Sequence, residues 1–313
     1  MVANSHIYHV PALLDEVIET LQPYAGGKYI DCTLGEGSVT EALLSAGAQV
    51  LGMDADPEML SSAARRLGDL PNAQYTLVQA NFASLKEVAV AHGFTQAQGI
   101  ILDVGLSSRQ LQAISRGFTF QEDQPLDMRY DPRQDVTAAD LVNDLPEQEL
   151  IDLLRTYGEE DTWSALSIAR TVMGRRPLNT TRELVECIEL AIGQRSAARI
   201  HPATKTFMAL RMVVNADLQA LESALPQALE LLAPGGKLAV IGYQSLEDRI
   251  IKRFLHQEAK DCLCPPAQPV CTCDHTATVK LARRQGITPS IAEIARNPAS
   301  RSARLRTAER VAA

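Results

Sequence analysis

Apolar and polar positions follow two rhythms along this chain. Short apolar stretches of strand length occur at Tyr29-Ile30, Gln49 to Met53, Gly99 to Asp103 and Leu238 to Ile241. Stripes at helical spacing lie between and beyond them: Thr40 to Ala46, Pro146 to Tyr157 with apolar residues at 150, 151, 153 and 154, and Trp163 to Met173. Leu231 to Lys237 carries Pro234-Gly235-Gly236, which predicts a helix stop feeding a buried strand, as in a parallel sheet. About 130 residues separate Asp103 from Leu238, whereas a strand–helix–strand crossover needs only about a dozen. The pattern therefore predicts a discontinuous α/β domain, 1–107 and 204–313, carrying an inserted helical substrate domain at 108–203. Within the insert, Thr180 and Glu183 form a capping-box pair opening a helix toward Ile192. A long helix starting near Pro202 is expected to return the chain to the sheet. Beyond it come a helix over Leu246 to Gln257, a loop rich in Cys and Pro, and strands near Thr278 to Ala282 and Ala303 to Thr307.

The chain has 313 residues, 46% of them hydrophobic, enough for about two domains and a sizeable core. No apolar run approaches the roughly 18 residues of a membrane span, and no basic-then-apolar leader opens the chain. These features imply a cytoplasmic protein with no membrane partner, whose six cysteines are thiols or metal ligands. Net charge is −8, yet Lys280 to Arg310 holds eight Lys/Arg against two Glu, a local charge of +6 that could meet phosphates.

The chemistry concentrates after the first strand. Asp31-Cys32-Thr33-Leu34-Gly35-Glu36-Gly37 sits at the end of the Tyr29-Ile30 run, and Asp54 ends the next. The glycines let backbone N–H groups approach a ligand, and an acid about twenty residues on accepts hydrogen bonds from ribose hydroxyls. A dinucleotide fingerprint would need a third glycine where Thr40 stands, so the turn suits a pyrophosphate poorly. S-adenosylmethionine, a ribose-bearing cofactor without phosphates, fits better. Asp103 ends another strand, where open α/β sheets place ligands. Phe82 is either core or a face for an adenine ring. Gln110 offers an amide to a ligand or to solvent. Cys32 and Cys187 read as small buried residues. Cys262-x-Cys264 and Cys271-x-Cys273-x-His275 make a candidate structural zinc site, in a loop stiffened by Pro265, Pro266 and Pro269. Arg116, Arg129 and Arg133, and the helix bearing His201, Lys205 and Arg211, are candidate RNA contacts, ion pairing to Glu122, Asp123 and Asp131 being the alternative for the first three.

Taken together, His9-Val10-Pro11-Ala12-Leu13-Leu14, DCTLGEG at 31–37, MDADP at 53–57, LDVGLSSRQL at 102–111, RGFTFQEDQPLDMRYDP at 116–132, YGEE at 157–160, HPATKTFMALRMVVN at 201–215, APGGKLAVIGYQSLEDRIIKRF at 233–254 and NPASRSARLRTAER at 297–310 resemble the RsmH (MraW) family of ribosomal-RNA small-subunit methyltransferases over nearly the whole length. The resemblance implies a class I S-adenosylmethionine-dependent methyltransferase fold, a Rossmann-like sheet with the helical insert. It implies methylation at N4 of a cytidine in the decoding centre of 16S rRNA, on naked RNA or the assembled small subunit. Carried over by motif, the cofactor contacts are Gly37, Ser38, Val39, Asp54, Phe82, Asp103 and Gln110. The catalytic group stays open among Asp103, the backbone of the Val104-Gly105-Leu106-Ser107 turn, Ser107, Ser108 and Tyr243, and the oligomeric state is open, a homodimer included. This chain departs from the family pattern twice. Gly35-Glu36-Gly37-Ser38-Val39-Thr40 stands for G-x-G-G-H-S, and Gly242-Tyr243-Gln244-Ser245 for S-F-H-S. Two rival readings follow: a paralogue that binds RNA or cofactor without catalysis, and a nicotinamide-dependent oxidoreductase with the same strand–glycine–acid layout.

Overall fold

The computed structural model describes residues 11–112, 116–193, 201–265, 268 and 270–311. His9 and Val10 of the N-terminal motif, and Pro266 and Pro269 of the cysteine loop, lie outside them. The chain divides into two compact units, Met1–Gly105 with Leu218–Ala313, and Leu106–Asp217.

The first unit is built on seven strands: β1 Lys28–Asp31, β2 Gln49–Asp54, β3 Gln74–Gln79, β4 Ala97–Asp103, β5 Leu232–Gly242, β6 Val279–Leu281 and β7 Arg304–Arg310. Their order is β3-β2-β1-β4-β5-β7-β6, with β7 antiparallel to both neighbours and the first five strands parallel. This is an open α/β sheet of five parallel strands closed at one edge by an antiparallel pair. Successive residues of a strand face opposite sides, and here both sides are covered. Ile30, Leu51, Met53, Ile100, Leu102, Leu238 and Val240 pack with Leu85, Leu221, Leu225, Ile251 and Leu255 from helices on one face. Tyr29, Val50, Ile101, Ala239 and Ile241 pack with Val17, Leu21, Leu43 and Leu67 on the other. Each such fully buried side chain contributes about 1.5–3 kcal/mol, which is why the strands read as continuous apolar stretches. Pro234-Gly235-Gly236 lies inside β5 rather than before it, at an irregularity where the register against β4 shifts between Ala97 and Gly99.

The second unit holds the helices Ser108–Gln112, Ala138–Asp144, Glu147–Tyr157, Thr162–Arg175, Thr181–Ile192 and Ala203–Val214. Leu150, Leu154, Ile168, Val172, Leu184, Ile188, Phe207 and Leu210 form its core. The expected Thr180–Glu183 capping box is present. The helix from Ala203, placed by sequence in the domain beginning at 204, packs in this unit instead. Phe207 and Leu210 join its core, and the helix stops at Val214 rather than running on to the sheet. Asn215 explains the stop. Its amide donates to the Met128 carbonyl (2.8 Å) and accepts from the Tyr130 N–H (2.8 Å), and Ala216 turns left-handed at φ 51° before the next helix, Asp217–Leu231. No helix among the described residues is long and apolar enough to cross a membrane.

Candidate functional site

Three parallel strands of the first unit, β1, β2 and β4, each end on an aspartate, Asp31, Asp54 and Asp103. A parallel register brings the three tips to one end of the sheet. The loop leaving β1 is fastened to both neighbours. Cys32 N–H donates to the Ile101 carbonyl (2.9 Å) and Leu34 N–H to the Met53 carbonyl (2.8 Å). Thr33 Oγ1 accepts from the Asp103 N–H at 2.6 Å. The glycine turn is held by Asp54, whose carboxylate accepts from the Gly35 N–H (2.8 Å) and the Asp56 N–H (2.9 Å). Gly37 caps the helix Ser38–Ser45 at φ +81°, and a Cβ there would sit 3.2 Å from Ala63 Cβ. Positive φ and close packing together make this a glycine position.

The sequence-predicted cofactor residues of the first unit separate into those whose side chains lie at this end and those whose side chains do not. Asp54 and Asp103 are at the tips. Phe82 opens a short turn following β3, half-buried against the core, with Asn81 capping that turn through the Ala83 N–H at 2.8 Å. The Val39 side chain is buried in the sheet core, so only its backbone is left to a ligand. Ser38 Oγ accepts from the Arg66 guanidinium at 2.6 Å. Thr40, standing where a third glycine would be, donates to Asp31 at 2.8 Å and fixes that buried acid. Gln110 belongs to the second unit. It is buried, its amide oxygen accepts from the Ser107 N–H (3.0 Å), and its own N–H donates to Ser107 Oγ (3.1 Å).

Burial dominates the electrostatics. Desolvation pushes Asp31 up to about 6, opposed by the Thr40 hydroxyl and backbone donors. It pushes Asp54 up to about 7, opposed by the Asp56 and Gly35 N–H groups and reinforced by Asp56 and Asp31. It pushes Asp103 up to about 7 as well, opposed by a hydrogen bond from Tyr243 and reinforced by Asp31 and Glu247. The Tyr243 phenol is itself raised, first by burial and then by the Asp103 charge. Gly105, at φ +144°, lets the chain pass the Tyr243 ring, since a Cβ there would meet the ring at 3.2 Å. Asp103 Oδ1 is buried and has no partner among the described residues. A buried carboxylate oxygen left unpaired is costly, and at the mouth of an α/β sheet it marks a place where a ligand donor belongs.

Sequence reasoning named Asp54, Asp103 and Tyr243, but not Asp31 as a site residue. The shared strand-final aspartate was the available signal. The SLEDR acids have structural duties. Glu247 is fully buried and accepts from the Tyr243 (2.9 Å) and Gln244 (3.0 Å) N–H groups at the start of the helix Ser245–Glu258. Asp248 makes a two-point ion pair with Arg306 of β7 (2.6 and 3.0 Å).

The candidate RNA contacts fare differently. Arg306 is buried in that pair, which removes it from any phosphate, whereas Arg301 and Arg304 are exposed. In the second unit Arg129 forks onto Asp127 (2.7 and 2.8 Å) and also donates to the Gln134 carbonyl. Arg133 pairs with Asp131 (2.7 Å), and Arg116 donates to the carbonyls of Arg129 and Tyr130. Lys205 reaches the Glu159 carbonyl and Glu160, buried Arg211 lies 3.2 Å from Asp217, and His201 lies 3.3 Å from Glu189. Internal pairing thus accounts for most of these cations; Arg133 takes the expected Asp131, Arg129 takes Asp127, and Asp123 pairs with Arg182 instead.

A model of the MraW methylase family matches residues 6–311. The ribosomal RNA small subunit methyltransferase H of Dehalococcoides mccartyi is 48% identical over 306 residues, covering 97% of this chain and 86% of that one. Its counterpart from Thermomicrobium roseum is 46% identical over 310 residues, covering 97% and 94%. The solved structure of a rRNA methylase from Streptococcus thermophilus aligns with a TM-score of 0.43 at 11% identity, covering 96% of this chain and 94% of that one, a likeness too loose to add to the sequence match. With a family match over residues 6–311 and two relatives near half identity over nearly the whole chain, this chain belongs to the MraW methylase family.

Proposed function

We propose that this protein transfers a methyl group from S-adenosylmethionine to N4 of a cytidine in the decoding centre of 16S rRNA. The observation that carries the reading is Asp103, with an unpartnered buried oxygen at the tip of β4 and the Tyr243 hydroxyl on its carboxylate. The names of the relatives supply the small-subunit rRNA as substrate class.

The residues present fit the cofactor. Asp54 would hold the ribose hydroxyls, since each carboxylate oxygen can accept a second bond beside its backbone donor. The Gly35–Gly37 turn leaves open space over Gly35, where an added Cβ would meet only the Thr33 carbonyl, at 3.9 Å. Phe82 offers a ring face to the adenine. Three acids at one sheet end suit a ligand carrying a sulfonium and an ammonium charge. When bound, S-adenosylmethionine supplies an electrophilic methyl group.

The acceptor amine is a weak nucleophile, because its lone pair is delocalised into the cytosine ring. Alignment therefore matters more than strong base assistance. The Asp103 carboxylate would accept from the amine N–H, orient the lone pair and disperse the positive charge that develops on nitrogen. A carboxyl near 7 is also a competent proton acceptor once the amine has been alkylated. The target base must be unstacked to reach such a site.

Nucleoside mass spectrometry of small-subunit rRNA, from cells with and without this protein, tests the reading. N4-methylated cytidine should be lost in the deletion and restored by the wild-type chain but not by Asp103→Ala. A restored modification on a different base would refute the N4 assignment, and none on any base would favour a binding paralogue.

A further inference from the structure

The loop joining the helix Ser245–Glu258 to β6 has no core of its own among the described residues. Its large apolar residues face solvent, with Leu263 37% and Val270 69% exposed. Its base is closed by Thr278, whose N–H donates to the Glu258 carbonyl (2.8 Å) and whose hydroxyl donates to the Glu258 carboxylate (2.7 Å). Among the described residues, nothing apolar fixes the tip. What converges there is sulfur.

Cys262, Cys264, Cys271 and Cys273 are all free thiols, and their four Sγ atoms lie within 4.8 Å of one another. Cys262 is 3.5 Å from Cys271 and 3.8 Å from Cys273, while Cys271 is 3.5 Å from Cys273 and 4.0 Å from Cys264. A tetrahedral zinc with Zn–S bonds of about 2.3 Å has sulfur–sulfur edges of about 3.8 Å. The observed spacings scatter around that edge. An iron–sulfur cluster spreads its cysteine sulfurs over the outside of several atoms, and a set confined to 4.8 Å leaves no room for one.

The backbone supports charged sulfur at these positions. Cys264 N–H points at Cys262 Sγ (3.4 Å), Thr272 N–H at Cys264 Sγ (3.4 Å) and Leu263 N–H at Cys273 Sγ (3.3 Å). Amide donors around the ligand atoms are the outer shell that metal thiolates use to hold orientation and offset charge. Four thiolates this close would repel one another without a cation between them. His275, the fifth candidate from the sequence, is not in the group.

We propose that these four cysteines bind a single zinc ion, as thiolates in a tetrahedral all-cysteine site that closes the tip of the loop before β6. Zinc fits because it has no redox demand, takes four sulfurs tetrahedrally and is favoured by soft ligands. The role is structural: all four positions are filled by protein, so none is open to water or substrate. The proposal stands whatever reaction the sheet end performs.

The test uses the full chain purified without chelator. Elemental analysis should give about one zinc per chain. Thiol titration of the native protein should find the four loop cysteines unreactive until a strong chelator is added. Cobalt exchanged into the site should show the intense visible bands and thiolate charge-transfer absorption of a tetrahedral cobalt held by four sulfurs, a readout on wild type that needs no variant. Cys262→Ser with Cys271→Ser should abolish zinc retention. Circular dichroism and S-adenosylmethionine binding check that the sheet domain survives in that variant. Iron in place of zinc, metal-free protein with all six thiols or disulfides accounted for, or a six-coordinate cobalt spectrum would each overturn the assignment.

Discussion

Among the neighbours that shift Asp103, Tyr243 is the one that lowers its pKa. The Tyr243 hydroxyl donates to its carboxylate and favours the ionised form, against the burial that favours the neutral one. Removing that hydroxyl should raise the Asp103 pKa further. A hydrogen bond to a charged group contributes about 1.5–3 kcal/mol when buried, and part of that is regained by water. In Tyr243→Phe the acid limb of the methylation pH profile should therefore move up by about one pH unit. Activity near pH 6.5 should fall several-fold while activity above pH 8 changes little. A uniform loss at every pH, with the limb unmoved, would mean that the phenol places substrate and does not tune the acid. The strand-final acids and the glycine turn were legible because they are local patterns of a few residues. The Asp103–Tyr243 contact was not, because the two lie about 140 residues apart and meet only through the pairing of β4 with β5. Thr40 was read for the glycine it replaces. Its positive duty, holding Asp31, needed coordinates.

At the scale of elements, the C-terminal basic segment shows why a charge count misleads. Lys280 to Arg310 is +6 along the chain, yet β7 folds back between β5 and β6 and buries Arg306 against Asp248. That pair joins β7 to the first turn of the helix Ser245–Glu258. Arg306→Ala would leave Asp248 without its two-point partner, at a cost of about 3 kcal/mol, the lower end for a broken buried pair because Asp248 keeps some solvent. The melting temperature should fall by on the order of 5 °C or more. The salt slope of RNA binding should be unchanged, whereas Arg301→Ala, on an exposed side chain, can lower it by up to about 0.9. A reduced slope in Arg306→Ala with an unchanged melting temperature would return this arginine to the RNA. The same logic covers the helix Ala203–Val214, whose Lys205 and Arg211 read as a cationic stripe but meet Glu160 and Asp217. Helical spacing tells which residues share a face, not which acids another segment brings to it. The helix boundaries were otherwise close to the sequence reading, and the capping box at Thr180 was visible because its four residues are contiguous.

For the whole molecule, the three raised carboxylates imply a trade between stability and ligand readiness. Asp31, Asp54 and Asp103 hold protons more tightly folded than unfolded, near 6, 7 and 7 against about 4 in an unfolded chain. Their contribution to stability is therefore full below pH 4 and is lost as pH rises through 6 and 7. Four other carboxylates run the opposite way. Asp127, Asp131, Asp140 and Asp161 are lowered, the first opposed by burial but held down by Arg129, the second by Arg133, and the others by the hydroxyls of Thr137 and Ser164. Their stabilisation is lost only as pH falls below about 4, so it is constant between pH 5 and 8. In that window these three carboxylates make the ligand-free protein progressively less stable as pH rises. A cationic cofactor reverses the sense, since it favours the ionised acids and draws their protons off. Its stabilisation should grow from pH 5 to pH 8, and its affinity with it. Thermal melts at fixed ionic strength, with and without saturating S-adenosylmethionine, should give two curves that diverge as pH rises. Parallel curves would show that these carboxylates are ionised in the free protein. The strand tips would then carry their charge before any cofactor arrives.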